Sequence, residues 1–208
     1  MVKVKICGIT NIEDATAAVE LGVDMLGFIF ASSPRQVEPE KARYIIHAIS
    51  PFVKTVGVFV DEDPAAIKRL ISFCGLDMVQ LHGDESPEFC QGLMPRSIKS
   101  FRLKDETSLQ TISFYSGKVR AFLFDTYSEK LKGGTGNTFD WNLAVKAKKL
   151  RVPIILSGGL NPSNIKEAIS AVKPEAVDIN SGVEKHPGKK DPAAIKKLME
   201  AIRGTDSG

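Results

Sequence analysis

Cysteine is scarce in this chain, and the three present, Cys7, Cys74 and Cys90, lie far apart. They make no CxxC pair and have no histidine at zinc-finger spacing, so no metal site is expected. An odd number of scattered thiols also argues against a disulfide framework and for a reducing compartment. Missing too is any apolar run long enough to span a bilayer. Met1-Val2-Lys3-Val4-Lys5 lacks the hydrophobic stretch of a secretory leader, and the expectation is a cytoplasmic protein with no membrane partner. Charge of one sign is in short supply: 28 Lys+Arg against 25 Asp+Glu leave a net charge of +3. Nothing in that balance calls for a nucleic-acid partner. The most basic cluster, Lys146-Ala147-Lys148-Lys149, falls on a helical pattern and reads as a solvated face. No low-complexity segment or linker divides the chain, and only the small polar residues 205–208 read as a disordered tail.

What is there is alternation. Strand-like segments at 2–7, 25–30, 55–60, 78–82, 98–103, 121–125, 152–157 and 176–180 are each followed by a helical pattern, at 12–21, 39–49, 64–74, 87–93, 106–115, 141–150, 162–172 and 192–202. Asn11 stands at a helix start, and Asp63-Pro64, Ser86-Pro87, Asn161-Pro162 and Asp191-Pro192 each place a capping side chain before a proline. Gly22, Gly75 and Gly204 suit helix ends. Eight such units without a break predict a single α/β domain over residues 1–204, a (β/α)8 TIM barrel. A doubly wound open sheet would accept the same alternation but seldom needs eight strands in so short a chain.

In a barrel, ligands bind at the carboxyl ends of the strands. That rule selects Cys7, the loop carrying Arg35, His82, Asp125, Ser157-Gly158-Gly159 and Asn180-Ser181-Gly182. Glycine turns at two neighbouring strand ends suit an anion, because backbone N–H groups must approach it closely. Gly158, Gly159, Asn180, Ser181 and Gly182 are therefore the candidate phosphate site, although ordinary tight turns would use the same letters. Strand alternation turns Lys3, Lys5 and Cys7 inward on the first strand, and Ala176, Asp178 and Asn180 inward on the last. First and last strands are neighbours in a closed barrel, so Lys5 and Asp178 are expected to pair, each offsetting the cost of burying the other. That pair is either purely structural or a source of positive potential beneath Cys7.

Cys7 at a strand end is a candidate nucleophile or base, and equally a small buried hydrophobe. Asp125 closes an apolar strand on its interior face and is a candidate acid. Gln80 and His82 share a face and are expected to line the pocket, His82 serving either there or as a satisfied structural histidine. The planar fork of Arg35 suits a carboxylate or phosphate. The long segment 126–138 contains Lys132-Gly133-Gly134-Thr135-Gly136 and reads as a lid hinged at Gly133, Gly134 and Gly136, or as a plain surface excursion.

Lys5-Ile6-Cys7-Gly8-Ile9-Thr10, Gln80-Leu81-His82-Gly83, Gly133-Gly134-Thr135-Gly136 with Phe139-Asp140-Trp141, Ser157-Gly158-Gly159-Leu160 and Asp178-Ile179-Asn180-Ser181-Gly182-Val183-Glu184 with Pro187-Gly188-Lys189-Lys190-Asp191 resemble the phosphoribosylanthranilate isomerase family, in register from Val2 to Ile202. The resemblance implies a cofactor-free barrel enzyme of tryptophan biosynthesis, a monomer or homodimer acting on a small-molecule substrate, a phosphoribosylated anthranilate, by Amadori rearrangement. It implies that Cys7 is the general base, Asp125 the general acid, and Arg35 the holder of the anthranilate carboxylate. The glycine turns match the family's phosphate site. One departure stands out: family members often carry Ser-Ser-Gly where this chain has Asn180-Ser181-Gly182. Two other readings of the same residues are a lyase using Lys5 as Schiff-base nucleophile and a barrel that binds a sugar phosphate without catalysis.

Overall fold

The structure is a computed structural model that describes residues 1–103, 105–125 and 141–204. Both the tail at 205–208 and the expected lid at Gly133, Gly134 and Gly136 lie outside the described residues.

Eight parallel strands close into one barrel in sequence order: β1 (Lys3–Ile6), β2 (Met25–Ile29), β3 (Lys54–Phe59), β4 (Met78–Leu81), β5 (Ser97–Arg102), β6 (Ala121–Asp125), β7 (Ile154–Ser157) and β8 (Ala176–Ile179). A helix follows each strand: α1 (Ile12–Glu20), α2 (Pro39–Ala48), α3 (Pro64–Cys74), α4 (Pro87–Gln91), α5 (Thr107–Ser113), α6 (Trp141–Ala147), α7 (Ile165–Val172) and α8 (Pro192–Arg203). A short hairpin of β9 (Glu184–His186) and β10 (Lys189–Lys190) is inserted between β8 and α8.

Start signals mostly act as expected. Asn11 accepts from Asp14 N, Asp63 from Ala65 N and Ala66 N, Ser86 from Phe89 N, and Asp191 from Ala193 N. Asn161-Pro162 is the exception, because α7 begins only at Ile165. Asn161 Oδ1 instead accepts from Ser163 N, and Asn164 Oδ1 accepts from Asn161 N, so the side chains close a turn on themselves. The expected helix 141–150 likewise tightens into a 3₁₀ turn at Lys148–Leu150.

Two apolar layers divide the work. Val4, Ile6, Leu26, Phe28, Phe122, Phe124, Leu156 and Val177 face outward and pack against the helices. Inside, Met25, Val56, Ile98, Ala121, Leu123, Ile155 and Ala176 form a separate plug at the amino end of the barrel. The plug fills the amino end, and a cavity opens at the carboxyl end, where barrels of this kind bind ligands. Lys3 departs from the alternation: its ammonium sits outside at the rim, 2.7 Å from Asp24, where solvent and a carboxylate satisfy it while the interior at that end is apolar.

Candidate active site

Above the plug lies a layer of buried polar groups. β1 and β8 pair with Lys5 opposite Asp178, and Lys5 Nζ meets Asp178 Oδ2 at 2.9 Å with side-chain exposures of 0% and 5%. Lys5 Nζ also donates to Gln80 Oε1 at 2.9 Å. Burial opposes the charge on Lys5, but Asp178 and Cys7 outweigh it and hold its pKa above the usual lysine value. Lys5 is therefore a closed-in ammonium under the cavity rather than part of its lining. A neutral amine open to a carbonyl, as the lyase reading requires, is not what this position provides.

One cavity of about 440 Å³ crowns this layer. Its lining brings together Cys7, Arg35, Gln80, His82, Asp125, Gly158, Gly159, Asp178, Asn180, Ser181 and Gly182, with Ile29 and Val58 supplying apolar wall. Residues from seven of the eight βα units thus converge, as closure of the barrel requires.

Cys7 is 5% exposed. Burial pushes its thiol above the ordinary value, Asp178 adds to that, and the ammonium groups of Lys5 and Lys190 draw it back without reversing it. A residue that sequence reasoning overlooked makes room for the sulfur: a Cβ built on Gly27 of the neighbouring strand would stand 2.7 Å from Cys7 Sγ.

On the opposite wall, Gln80 Nε2 and His82 Nδ1 are 3.0 Å apart. Lys5 has only donors and takes the Gln80 oxygen, so Gln80 presents its NH₂ to the imidazole. His82 Nδ1 is then the acceptor, and the ring proton sits on Nε2, which faces Asp125 Oδ2 at 3.9 Å. Burial lowers the His82 pKa against the pull of Asp125 and Asp178, keeping the ring neutral at neutral pH.

The two glycine turns touch. A Cβ on Gly182 would fall 2.0 Å from Leu160 O, so only glycine lets the turn after β8 lie against the turn after β7. Gly158 and Gly159 both have positive φ, 93° and 65°. Among the described residues, no protein acceptor engages the N–H groups of Gly159, Ser181 or Gly182. Two adjacent turns with uncommitted amides at one cavity wall can bind an anion.

Arg35 is placed at the cavity, but its fork is not open as the sequence suggested. Nε and Nη2 both donate to Glu184, at 2.9, 3.0 and 2.7 Å, which raises the Arg35 pKa. Only the Nη1 edge remains for a ligand. Glu184 was not singled out from sequence, and neither was the buried Glu85–Lys99 pair at 3.0 Å. Glu85 accepts from Asp61 N and Gly83 N, pinning the loop that carries His82.

Comparison with known proteins shows the family. The family model described as N-(5'-phosphoribosyl)anthranilate isomerase matches residues 4–201. The chain is similar to an N-(5'-phosphoribosyl)anthranilate isomerase of Geobacter sulfurreducens, 52% identical over 98% of this chain and 100% of the relative. Among solved structures it is similar to phosphoribosyl anthranilate isomerase from Thermotoga maritima, with TM-score 0.90 and 44% identity over 98% of this chain and 100% of that one. It is also similar to an isomerase solved in complex with reduced 1-(o-carboxyphenylamino)-1-deoxyribulose 5-phosphate, with TM-score 0.88 and 42% identity over 98% and 100% of the two chains. The match runs through every strand of the barrel and both turns of the cavity, and the chain belongs to the N-(5'-phosphoribosyl)anthranilate isomerase family.

Proposed function

We propose that this chain catalyses the isomerisation of N-(5'-phosphoribosyl)anthranilate to 1-(2-carboxyphenylamino)-1-deoxyribulose 5-phosphate in tryptophan biosynthesis, with Cys7 as general base and Asp125 as general acid. The observation that carries the reading is the convergence of a strand-end thiol, a strand-end carboxyl and two amide-lined glycine turns on one cavity.

The substrate's phosphate occupies the paired turns at Gly158–Gly159 and Asn180–Gly182, which supplies binding energy remote from the reacting carbons and fixes their position. Nη1 of Arg35 takes the anthranilate carboxylate. Asp178 Oδ1, buried and without a hydrogen-bond partner among the described residues, is an acceptor for a ribose hydroxyl. Protonated Asp125 gives its proton to the furanose ring oxygen as the C1–O bond breaks, and the nitrogen lone pair forms the C1=N iminium. That cation acidifies the C2–H bond and favours a thiolate at Cys7. Cys7 removes the C2 proton, the electron pair flows to the iminium nitrogen, and the enolamine then gains a proton at C1 and loses its hydroxyl proton to become the ketone. Acid and base each contribute about 10²–10⁴ in rate. A neutral His82 with its proton on Nε2 keeps a donor toward Asp125 without adding a second positive charge beside the iminium.

The direct test follows loss of the fluorescent anthranilate substrate on addition of the purified protein alone. Enzymatic loss with formation of the ketose is the expected result; absence of turnover with intact fold and intact phosphate inhibition would favour a sugar-phosphate binder.

A further inference from the structure

Among the buried cations that the mechanism leaves unused is Lys190. Lys190 is 0% exposed and stands on the β9–β10 hairpin. That hairpin is anchored across the seam of the barrel. Asp14 at the start of α1 accepts from Lys190 N and from Lys189 Nζ, both at 2.7 Å, and Thr10 Oγ1 donates to Gly188 O at 2.7 Å. Lys190 Nζ donates to Asn180 Oδ1 at 2.9 Å, to Asn180 O at 3.3 Å and to Glu184 Oε1 at 2.9 Å. Three donors meet three acceptors, which fills the ammonium's capacity.

An ammonium cannot accept, so the Asn180 atom facing it must be the oxygen. The Nδ2 group is thereby turned the other way, and among the described residues it has no partner, while Asn180 lines the cavity. Glu184 carries the network onward to Arg35 at 2.7 Å. Burial draws the Lys190 pKa down, and Glu184 opposes this.

We propose that Lys190 is a positioning residue that aims the Asn180 amide at the substrate phosphate and, through Glu184, sets how tightly Arg35 is held. The two ends of the substrate are then gripped by one ionic network, Asn180–Lys190–Glu184–Arg35. This rests on the phosphate placement proposed above. The orientation of the Asn180 amide donor is thus enforced by a buried cation. Without the ammonium, the Asn180 amide is free to turn over, and Glu184, left with a single cation, holds Arg35 harder.

The test uses inorganic phosphate as a competitive inhibitor, with KM and kcat, in Asn180→Ala, Lys190→Met, the double variant and Gly182→Ala. Asn180→Ala and Lys190→Met are each expected to weaken phosphate about tenfold, as loss of a hydrogen bond to a charged group would. Because Lys190 acts on phosphate through Asn180, the double variant is expected to be no weaker than Asn180→Ala. KM should rise with kcat little changed. Additive losses of about a hundredfold in the double variant overturn the proposal, as does unaltered phosphate inhibition in Lys190→Met. Unaltered inhibition in Gly182→Ala as well would overturn the phosphate placement itself. Asn180→Asp covers the case in which Lys190→Met does not fold. It keeps an acceptor toward Lys190 and replaces the donor facing the phosphate with an oxygen, so a folded variant that has lost phosphate inhibition is expected; full inhibition overturns the proposal.

Discussion

On the side of the cavity built from β1, β2 and β8, Lys5, Arg35 and Lys190 are each closed onto a carboxylate at 2.7–2.9 Å. On the side built from β4 and β6, His82 Nε2 and Asp125 Oδ2 stand 3.9 Å apart, and their side chains are 28% and 22% exposed. That gap is too long for a hydrogen bond. The contrast fits the two jobs proposed for the two walls. Gripping a fixed anion wants cations that cannot move, and burial with paired carboxylates provides them. The proton delivery proposed for Asp125 wants instead a carboxyl group that reaches the cavity, and Asp125 lines it.

Variants on the two sides are expected to fail in different constants. Asp125→Asn is expected to lower kcat by about 10²–10⁴ with KM nearly unchanged, whereas Arg35→Ala should act mainly by raising KM. Steady-state kinetics of both variants check this, and a matching split in the two would erase the distinction. Next in size is the buried pair. Asp178→Ala takes away the carboxylate that pairs with the buried Lys5, and a stability loss of about 3–5 kcal/mol is expected from denaturant midpoints. Lys5→Met with Asp178→Leu should recover most of that loss without recovering activity.

A smaller effect is expected from Gly27→Ala. Its methyl group would meet Cys7 Sγ at 2.7 Å, an overpacking cost of about 1–3 kcal/mol, with a fall in kcat as the sulfur is displaced. Smallest is a pH effect. Burial alone would raise the Glu184 pKa, but the bonds from Arg35 and Lys190 prevail and hold it below its unfolded value of 4.5. Its contribution to stability is therefore complete above that value and is lost as pH falls through the depressed one. Urea titrations from pH 6 to pH 2 should show a shallower acid decline for Glu184→Gln than for the parent chain.

How far the sequence could be read depended on the range of the interaction. The Lys5–Asp178 pair was legible because two strand periods and one closure rule determine it. Cys7, Asp125 and the two glycine turns were legible because they end strands in a fold whose ligand end is known. Gly27 was not, since its need for a missing Cβ exists only once β1 and β2 lie side by side. Nor was the Arg35–Glu184 pair, which joins residues 149 apart through a hairpin that no local pattern announced. Asn161-Pro162 misled because its capping oxygen found a nearer partner at Ser163.

The central claim is that the sulfur of Cys7 takes the proton from C2. Single-turnover conversion of substrate carrying deuterium at C2, followed by product mass, measures that step directly. Wild type is expected to lose the label, and Cys7→Ser to lose it at least about 10²-fold more slowly while inorganic phosphate competes as well as before. Loss of the label by Cys7→Ser at the wild-type rate would contradict the mechanism.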